Sequence, residues 1–203
     1  MGFIPDEEQV QETEVQEVEK IDPEKEEQLN KAGLNWNVKS EEVQTISGLL
    51  IPKKIALVRE DTNTVLGLHT DGYFPYQNHE LLELLHKISS QSGLSYKKGG
   101  CFDGGKKVYF QLNTQTRDLN GDKIEGSITG INSFDGRTSL SFGNSNKTIS
   151  CLNSFWLVYR ELETNLRHSA SMRPKIEEIL KRIDVLLEEE KKTFRTIERL
   201  ADI

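Results

Sequence analysis

Lysine and aromatic side chains interleave around one glycine-rich turn near the middle of the chain. Asp103 is the only acid in this stretch, whose bases and rings are Lys97, Lys98, Lys106, Lys107, Tyr96, Phe102 and Tyr109. Lysines neutralise phosphates and release counterions, and aromatic faces stack on unpaired bases. A β-hairpin that presents both kinds of side chain would follow a single strand of nucleic acid. The pattern therefore predicts a candidate binding site for single-stranded DNA.

The same stretch has a plainer interpretation, in which it is a solvated hairpin of the fold. Lysines commonly line an exposed edge strand and prevent it from pairing with other chains. The three aromatic rings would then belong to the hydrophobic core. The residues alone favour this second interpretation slightly, and both stay open.

Part of this turn matches a nucleotide-binding motif without meeting its requirements. Residues 100–106 fit the pattern GxxxxGK. A phosphate-binding loop then needs Ser or Thr to hold magnesium, and it must open a helix whose N-terminal amides face the phosphates. Position 107 is lysine and a β-type run follows. We therefore interpret the segment as a hairpin turn.

The remaining motifs predict no metal, cofactor or catalytic site. The histidines lack the spacing of metal ligands; they are His69, His79, His86 and His168. A calcium-like stretch that begins at Asp118 has Lys123 and Thr129 where the loop requires glycine and glutamate. No nucleophile elbow or dinucleotide fingerprint occurs. We therefore expect a protein that is not an enzyme and binds neither metal nor cofactor.

The position of the charges changes what the net charge means. The 203 residues carry a formal net charge of −7, which is unfavourable for binding nucleic acid. Residues 1–33 hold eleven acids and three bases, so this segment carries −8 and the other 170 residues carry +1. We interpret residues 1–33 as a disordered acidic tail, because its few apolar side chains bury too little surface to offset ordering entropy. The tail is either a solubilising extension or an arm that binds a partner.

Composition also excludes several classes of protein. No apolar run approaches the roughly 18–20 residues of a membrane span, and the N-terminus lacks the basic and apolar regions of a secretory signal. Cys101 and Cys151 are the only cysteines, and they form no CxxC pair. Such usage is typical of a reducing compartment, so we expect a cytoplasmic protein without membrane contact.

Hydrophobic patterning predicts an α+β core domain over residues 34–170, with an antiparallel, hairpin-rich sheet. Runs of β-type residues predict strands at 55–58, 65–68, 108–112, 124–131 and 138–142. Asn120-Gly121 and Asp135-Gly136 are typical of tight hairpin turns, which favour residues that tolerate positive φ. Strands joined by such turns lie antiparallel.

Two helices are expected to pack on this sheet. Asn78 caps the first, whose apolar side chains recur at helical spacing over residues 81–88. The second begins near Asn153 or Ser154, either of which could cap it, and its apolar stripe continues to Leu166.

Residues 171–203 are predicted to form a long C-terminal amphipathic helix. Pro174 lies in its first turn, where proline is tolerated best. The apolar stripe of this helix either packs on its own domain or pairs with another copy of the chain. The second arrangement would make the protein a homo-oligomer.

Several short segments in a fixed order resemble the phage/plasmid-like protein family called domain of unknown function 932. They are GLNWNV (33–38), ALVR (56–59) leading to VLG (65–67), DGYFPYQNHE (71–80), NSFDGRTS (132–139), ISCLNS (149–154) and RHS (167–169). The resemblance covers residues 33–180, leaves out the acidic tail, and departs from the family pattern at Phe134, where the family has histidine. Since the family's activity is unknown, the resemblance implies no catalytic residue.

Ten positions match the family pattern without an established role. They are Tyr73, Pro75, Gln77, Asn78, Asp135, Gly136, Cys151, Asn153, Arg167 and His168. A third and weaker hypothesis makes Cys151, Asn153, Arg167 and His168 an enzymatic site. It requires these four side chains to meet in one pocket.

The resemblance and the lysine-rich turn together give the leading functional hypothesis. It is a phage or mobile-element protein that binds single-stranded DNA as an accessory of replication or recombination, of the annealing type. Small phage annealing proteins share the outline of hairpin, helix, strands and helices, although fold analogy is a weak warrant for function. The alternative is a protein-interaction or host-modulating factor that binds through the tail or terminal helix, without nucleic acid or catalysis.

Overall fold

The computed structural model describes residues 22–90, 95–119, 122–145 and 147–181. These residues form two antiparallel sheets together with helices, which confirms the α+β class. No helix within these ranges is long and apolar enough to cross a membrane. The predicted tail up to residue 21, and the predicted C-terminal helix beyond residue 181, lie outside the described residues.

The first sheet has three strands in sequence order. They are β1 (Val38–Gln44), β2 (Leu50–Arg59) and β3 (Thr64–Thr70). The β2–β3 pair confirms the hairpin predicted from the runs at 55–58 and 65–68. Because the pairing of β2 with β3 begins only at Lys54, the far end of the β1–β2 hairpin extends beyond β3.

The second sheet has five strands, also in sequence order. They are β4 (Ser95–Phe102), β5 (Lys107–Leu119), β6 (Asp122–Ser133), β7 (Leu140–Ser145) and β8 (Thr164–Leu166). A short 3-10 turn, Asp103–Gly105, joins β4 to β5 where the glycine-rich turn was predicted. Leu119 pairs with Asp122 across β5 and β6. The predicted turn between them, Asn120-Gly121, lies outside the described residues.

The connection from β6 to β7 is longer than the sequence predicted. Residues 134–139 join the two strands, so the tight hairpin turn expected at Asp135-Gly136 is wrong. Gly136 does adopt a positive φ of 74°. The loop is closed at its base, where the Ser133 hydroxyl donates to the Thr138 carbonyl at 3.1 Å and accepts from the Thr138 amide at 3.0 Å.

Helices pack on both faces of the five-stranded sheet. α1 (Pro23–Ala32) and α2 (Asn78–Ser90) lie on one face, and α3 (Leu152–Glu161) lies on the other. Alternation along β5 divides its side chains between these layers: Phe110 and Leu112 belong to the main core, whereas Tyr109 belongs to the core under α3.

α1 corrects the prediction that all of residues 1–33 form a disordered tail. The Asp22 carboxylate accepts from the Glu24 amide at 3.1 Å and caps the helix, and Gly33 ends it with φ of 66°. Leu29 is buried in the main core. A single core leucine in a strongly charged segment gave too weak a periodic signal to predict this helix.

α2 begins where it was predicted, but the predicted cap is wrong. Asn78 is the first helical residue, and its side-chain amide donates to the carbonyl oxygens of Leu34 and Trp36 at 3.1 and 3.2 Å. The helix start is instead stabilised one residue earlier, because the Gln77 amide donates to the Glu80 carboxylate at 2.7 Å. Asn78 therefore connects α2 to the chain that leads into β1.

α3 also differs from its prediction at both ends. Cys151 is the cap rather than Asn153 or Ser154: its Sγ accepts from the Ser154 amide at 3.5 Å, while the Ser154 hydroxyl accepts from the Cys151 amide at 2.9 Å. The helix ends at Glu161. Leu166, which was predicted to continue the helix, lies in β8 and pairs with β7.

The described start of the C-terminal segment is helical over residues 172–181, with Pro174 in the first turn. Met172 and Ile176 pack in the main core. Arg173 donates to the Glu80 carboxylate of α2 at 2.7 Å. This part of the helix therefore packs on its own domain, and pairing with another copy stays a prediction.

Candidate nucleic-acid interface

Four of the seven predicted binding residues meet on the α3 face of the sheet. The Cα atoms of Phe102 and Lys107 pair across β4 and β5, as do those of Lys98 and Gln111. The Phe102 and Tyr109 rings stack with their centroids 5.7 Å apart, and the Lys98 ammonium lies 6.0 Å from the Tyr109 centroid. Lysines and rings therefore do share one face, as the sequence pattern suggested.

α3 extends this group with three further rings. The Phe155 centroid lies 5.7 Å from that of Phe102 and 5.5 Å from that of Trp156, and Tyr159 follows at 5.9 Å from Trp156. Phe155 is buried, while Phe102, Trp156 and Tyr159 are partly exposed. Phe155 and Tyr159 stood out in the sequence as a helical stripe, whereas Trp156 lies beside that stripe and no pattern marked it as a binding residue.

Lys107 has a different role from the one predicted. Its side chain is 2% exposed, and its Nζ donates to the carboxylates of Asp103 at 2.5 Å and Asp135 at 2.9 Å. Burial opposes the charged form, but the hydrogen bonds to two carboxylates outweigh it and raise the pKa of Lys107 above its ordinary value. The ammonium is therefore already neutralised by the protein itself, and we leave it out of the surface available to phosphates.

The other predicted residues are distributed over different environments. Tyr96 packs against the main core, on the face opposite α3. Lys97 occupies a β-bulge of β4, and Lys106 follows the 3-10 turn with a half-buried side chain. Tyr96, Phe102 and Tyr109 therefore all contact a core cluster, as the plainer interpretation expected, and Phe102 is still partly exposed.

Asp135 holds the β6–β7 loop against Lys107. Its carboxylate also accepts from the Arg137 amide at 3.0 Å. Burial disfavours the charged carboxylate, but the hydrogen bonds from Lys107 and Arg137 outweigh it, so the pKa of Asp135 lies below its ordinary value. Its family-pattern neighbour Gly136 lies against His69, since a Cβ there would be 3.1 Å from the His69 Cε1.

A stack of three rings covers the other side of the same loop. The Tyr73 ring lies between those of His69 and His168, with centroid distances of 3.9 and 4.8 Å. The Tyr73 hydroxyl donates to the Ser133 carbonyl at 2.9 Å. His69 bonds through Nε2 to the Phe134 carbonyl at 2.8 Å. The family-pattern residues Tyr73 and His168 therefore position the β6–β7 loop.

Two further family-pattern residues, Pro75 and Gln77, follow Tyr73 closely in the sequence. The Gln77 side-chain amide donates to the Val38 carbonyl and its oxygen accepts from the Val38 amide, each at 2.9 Å, so it continues the hydrogen bonding of the β1 edge. Pro75 is half-buried in the segment between β3 and α2. Both residues belong to the segment that connects β3 to α2.

Among the residues that it describes, the structure shows no contact between the two pairs of residues in the enzymatic hypothesis. Cys151 and Asn153 lie at the start of α3, and Arg167 and His168 follow β8. Within the described ranges, no hydrogen bond, ion pair or ring contact joins the first pair to the second. Hydrogen bonds from Ser154 lower the pKa of the exposed Cys151 thiol, which its capping role explains.

The described residues also show no grouping of three His, Cys, Asp or Glu side chains suited to a metal ion.

Gln111 is a positioning residue that no sequence pattern identified. It is fully buried on the α3 face. Its side-chain nitrogen donates to the Thr129 hydroxyl and the Lys147 carbonyl, both at 2.9 Å, and its oxygen accepts from the Ile149 amide at 2.8 Å. It thereby fixes the segment that leads into α3.

Fold and surface together define a small α+β domain with a face of aromatic and lysine side chains. The family model described as domain of unknown function (DUF932) matches residues 65–203, more than half of the chain. The chain belongs to this family, which confirms the resemblance found in the sequence, although the segments before residue 65 lie outside the match. Comparisons with curated proteins and with solved structures found no match.

Proposed function

We propose that the protein binds single-stranded DNA on the α3 face of its five-stranded sheet. The observation that carries this proposal is a group of partly exposed side chains on this face. The rings of Phe102 and Trp156 both contact Phe155, and Lys98 lies near the Tyr109 ring that stacks on Phe102. Lys106, also partly exposed, follows the 3-10 turn after Phe102. Unpaired bases stack on such rings with about 1–3 kcal/mol each, and lysines supply the contacts to phosphate.

The position of these residues at the sheet edge supports the proposal. β4 is an edge strand of the five-stranded sheet, so a strand of DNA has access to it from one side. Besides Lys107, which pairs with Asp103 and Asp135, residues 95–107 contain Lys97, Lys98 and Lys106, and the acidity of the whole chain is concentrated in residues 1–33. The local charge at this edge is therefore favourable for a polyanion even though the whole chain is acidic.

The biological role proposed with this binding is that of an accessory protein in replication or recombination of a phage or mobile element. It rests on the binding proposal and on the family resemblance. No catalytic step is included, because binding and strand alignment need only stacking and charge.

Fluorescence anisotropy with a labelled single-stranded oligonucleotide tests the proposal at low and rising salt. We expect binding that weakens with salt, and a loss of at least about tenfold in the double variant Lys98→Glu/Lys106→Glu, because charge reversal removes two phosphate contacts and adds repulsion. The matched control is Lys175→Glu/Lys181→Glu, which makes the same charge change on the terminal helical segment.

The rings are tested separately from the charges. Trp156→Leu removes one stacking surface and should weaken binding by about 1–3 kcal/mol without changing the salt dependence. Undetectable binding of the unaltered protein at low salt contradicts the proposal and leaves the protein-interaction alternative. An equal loss in the charge-reversal variant and its control places any binding elsewhere.

A further inference from the structure

The far end of the β1–β2 hairpin carries an apolar surface beside two lysines. We call residues 45–54 the hairpin tip. Its exposed apolar side chains are Ile46 (110% exposed), Leu49 (68%), Leu50 (52%) and Ile51 (37%). Lys53 and Lys54 follow on β2 with exposed side chains, and residues 43–54 contain no acid. Apolar and basic groups are therefore combined at one exposed site.

The hairpin tip is a well-formed structure. The Thr45 amide donates to the Leu49 carbonyl at 2.8 Å, and the Gly48 amide donates to the Thr45 carbonyl at 2.9 Å. Gly48 adopts φ of 80°, which favours glycine. The closed turn thus keeps its apolar side chains in solvent, and an exposed group of this kind commonly marks a contact surface.

The size of the hairpin tip argues against a separate protein as its partner. Four apolar side chains and two lysines fall far short of the roughly 20–30 residues that each side of a standard protein interface contributes. A segment tethered to the same chain needs much less, since a tether supplies an effective concentration on the order of millimolar. The occupant that fits this small surface is therefore part of the same chain.

We propose that the acidic segment formed by residues 1–21 docks on the hairpin tip. This segment contains seven acids and one base, so it is opposite in charge to Lys53 and Lys54. It also supplies apolar side chains for the tip, namely Phe3, Ile4, Val10, Val15, Val18 and Ile21. An external polyanion has no tether to this chain, so it lacks the high effective concentration of residues 1–21.

The length of the segment allows this contact. It joins the described structure at Asp22, the cap of α1. An extended chain of this length spans up to about 70 Å, whereas a body of the described size is about 40 Å across. The segment therefore reaches any point on the surface, and complementarity selects the hairpin tip.

Paramagnetic relaxation in the full-length, isotope-labelled protein tests the contact. A nitroxide is attached at Gln11→Cys in a Cys151→Ser background, where the remaining Cys101 is half-buried and burial raises the pKa of its thiol. We expect the amide signals of residues 45–54 to lose most of their intensity. Lys53→Glu/Lys54→Glu should restore them, whereas Lys175→Glu/Lys181→Glu should not.

A charge swap makes the test reciprocal. Adding Glu14→Lys, Glu17→Lys and Glu19→Lys to the Lys53→Glu/Lys54→Glu variant should bring the broadening of residues 45–54 back. The proposal is overturned if these signals keep their intensity in the spin-labelled protein, or if they are broadened equally with and without the Lys53→Glu/Lys54→Glu substitutions. A mixture of isotope-labelled chains without a spin label and spin-labelled chains without isotopes distinguishes contacts between copies. If residues 45–54 are broadened in this mixture, the contact is with a second copy, and the proposal is also overturned.

Discussion

Lys107 joins three parts of the molecule through one buried charge. Its Nζ contacts Asp103 after β4 and Asp135 in the β6–β7 loop, and it lies 5.9 Å from the Trp156 ring centroid of α3. Two carboxylates this close to one another would repel without the ammonium between them. The residue that sequence reasoning assigned to DNA is therefore a structural support beneath the proposed DNA surface.

Replacing Lys107 with methionine should lower the free energy of unfolding by about 3 kcal/mol. Breaking a buried ion pair typically costs about 3–5 kcal/mol because the remaining charge is left uncompensated, and the partial exposure of Asp103 places this case at the low end. Urea unfolding followed by circular dichroism measures the change. Lys106→Met is the matched control, for which we expect a change within about 0.5 kcal/mol; equal effects in both variants would contradict a structural role for the buried ammonium.

At the scale of elements, β3 and the β6–β7 loop approach each other more closely than side chains normally allow. A Cβ on Gly67 would lie 2.3 Å from the Phe134 carbonyl oxygen and 2.7 Å from the His69 Nε2. The first of these is a backbone atom, which cannot rotate away. The absence of a side chain at Gly67 therefore lets the three-stranded sheet lie against the loop that carries Asp135.

Gly67→Ala should separate these two elements and destabilise the protein by about 1–3 kcal/mol, as overpacking commonly does. The control is Gly72→Ala, where a Cβ would meet nothing within 4 Å. Thermal unfolding of both variants gives the comparison: a marked fall in Tm is expected for the first and almost none for the second. A Tm for Gly67→Ala equal to that of the unaltered protein would show that the loop moves aside without loss.

The strands were easier to predict from the sequence than the helix ends. Short runs of β-type residues identify β2, β3 and β5, because such residues favour strands wherever they occur together. A helix cap depends on which partner a side chain finds in the folded protein. Asn78 bonds to the distant carbonyls of Leu34 and Trp36 instead of capping α2, and no local pattern specifies that contact.

At the scale of the whole molecule, composition could not show which side chains end up neutralised. The lysine-rich turn contains a single acid, Asp103, yet Lys107 also pairs with Asp135, which is 28 residues away in the sequence. Lys98 and Phe102, by contrast, could be placed on one face because strand alternation alone sets that relation. The candidate interface was therefore predictable within a strand, while the contribution of α3 through Trp156 required the tertiary structure.

The three-ring stack makes the stability of the whole molecule depend on pH. His168 follows β8, His69 belongs to β3, and Tyr73 between them precedes α2, so the stack joins parts of the chain that are far apart in sequence. Both ring nitrogens of His168 are buried without a hydrogen-bond partner. Burial accordingly lowers the pKa of His168 to about 4.

The free energy of unfolding should therefore fall as the pH decreases from 6.5 to 4. In this window the unfolded chain binds a proton at His168 that the folded protein does not, so protonation favours unfolding. With the pKa lowered from 6.5 to about 4, the loss amounts to about 3 kcal/mol, and all of this stabilisation is present above pH 6.5.

His168→Phe keeps a ring in the stack but removes the titrating group, so its stability should change less over the same window. Urea unfolding at several pH values measures this difference in stability. Tyr73→Phe is the control and should keep the pH dependence of the unaltered protein. If the free energy of unfolding changes in parallel with pH for the unaltered protein and His168→Phe, His168 does not cause the pH dependence.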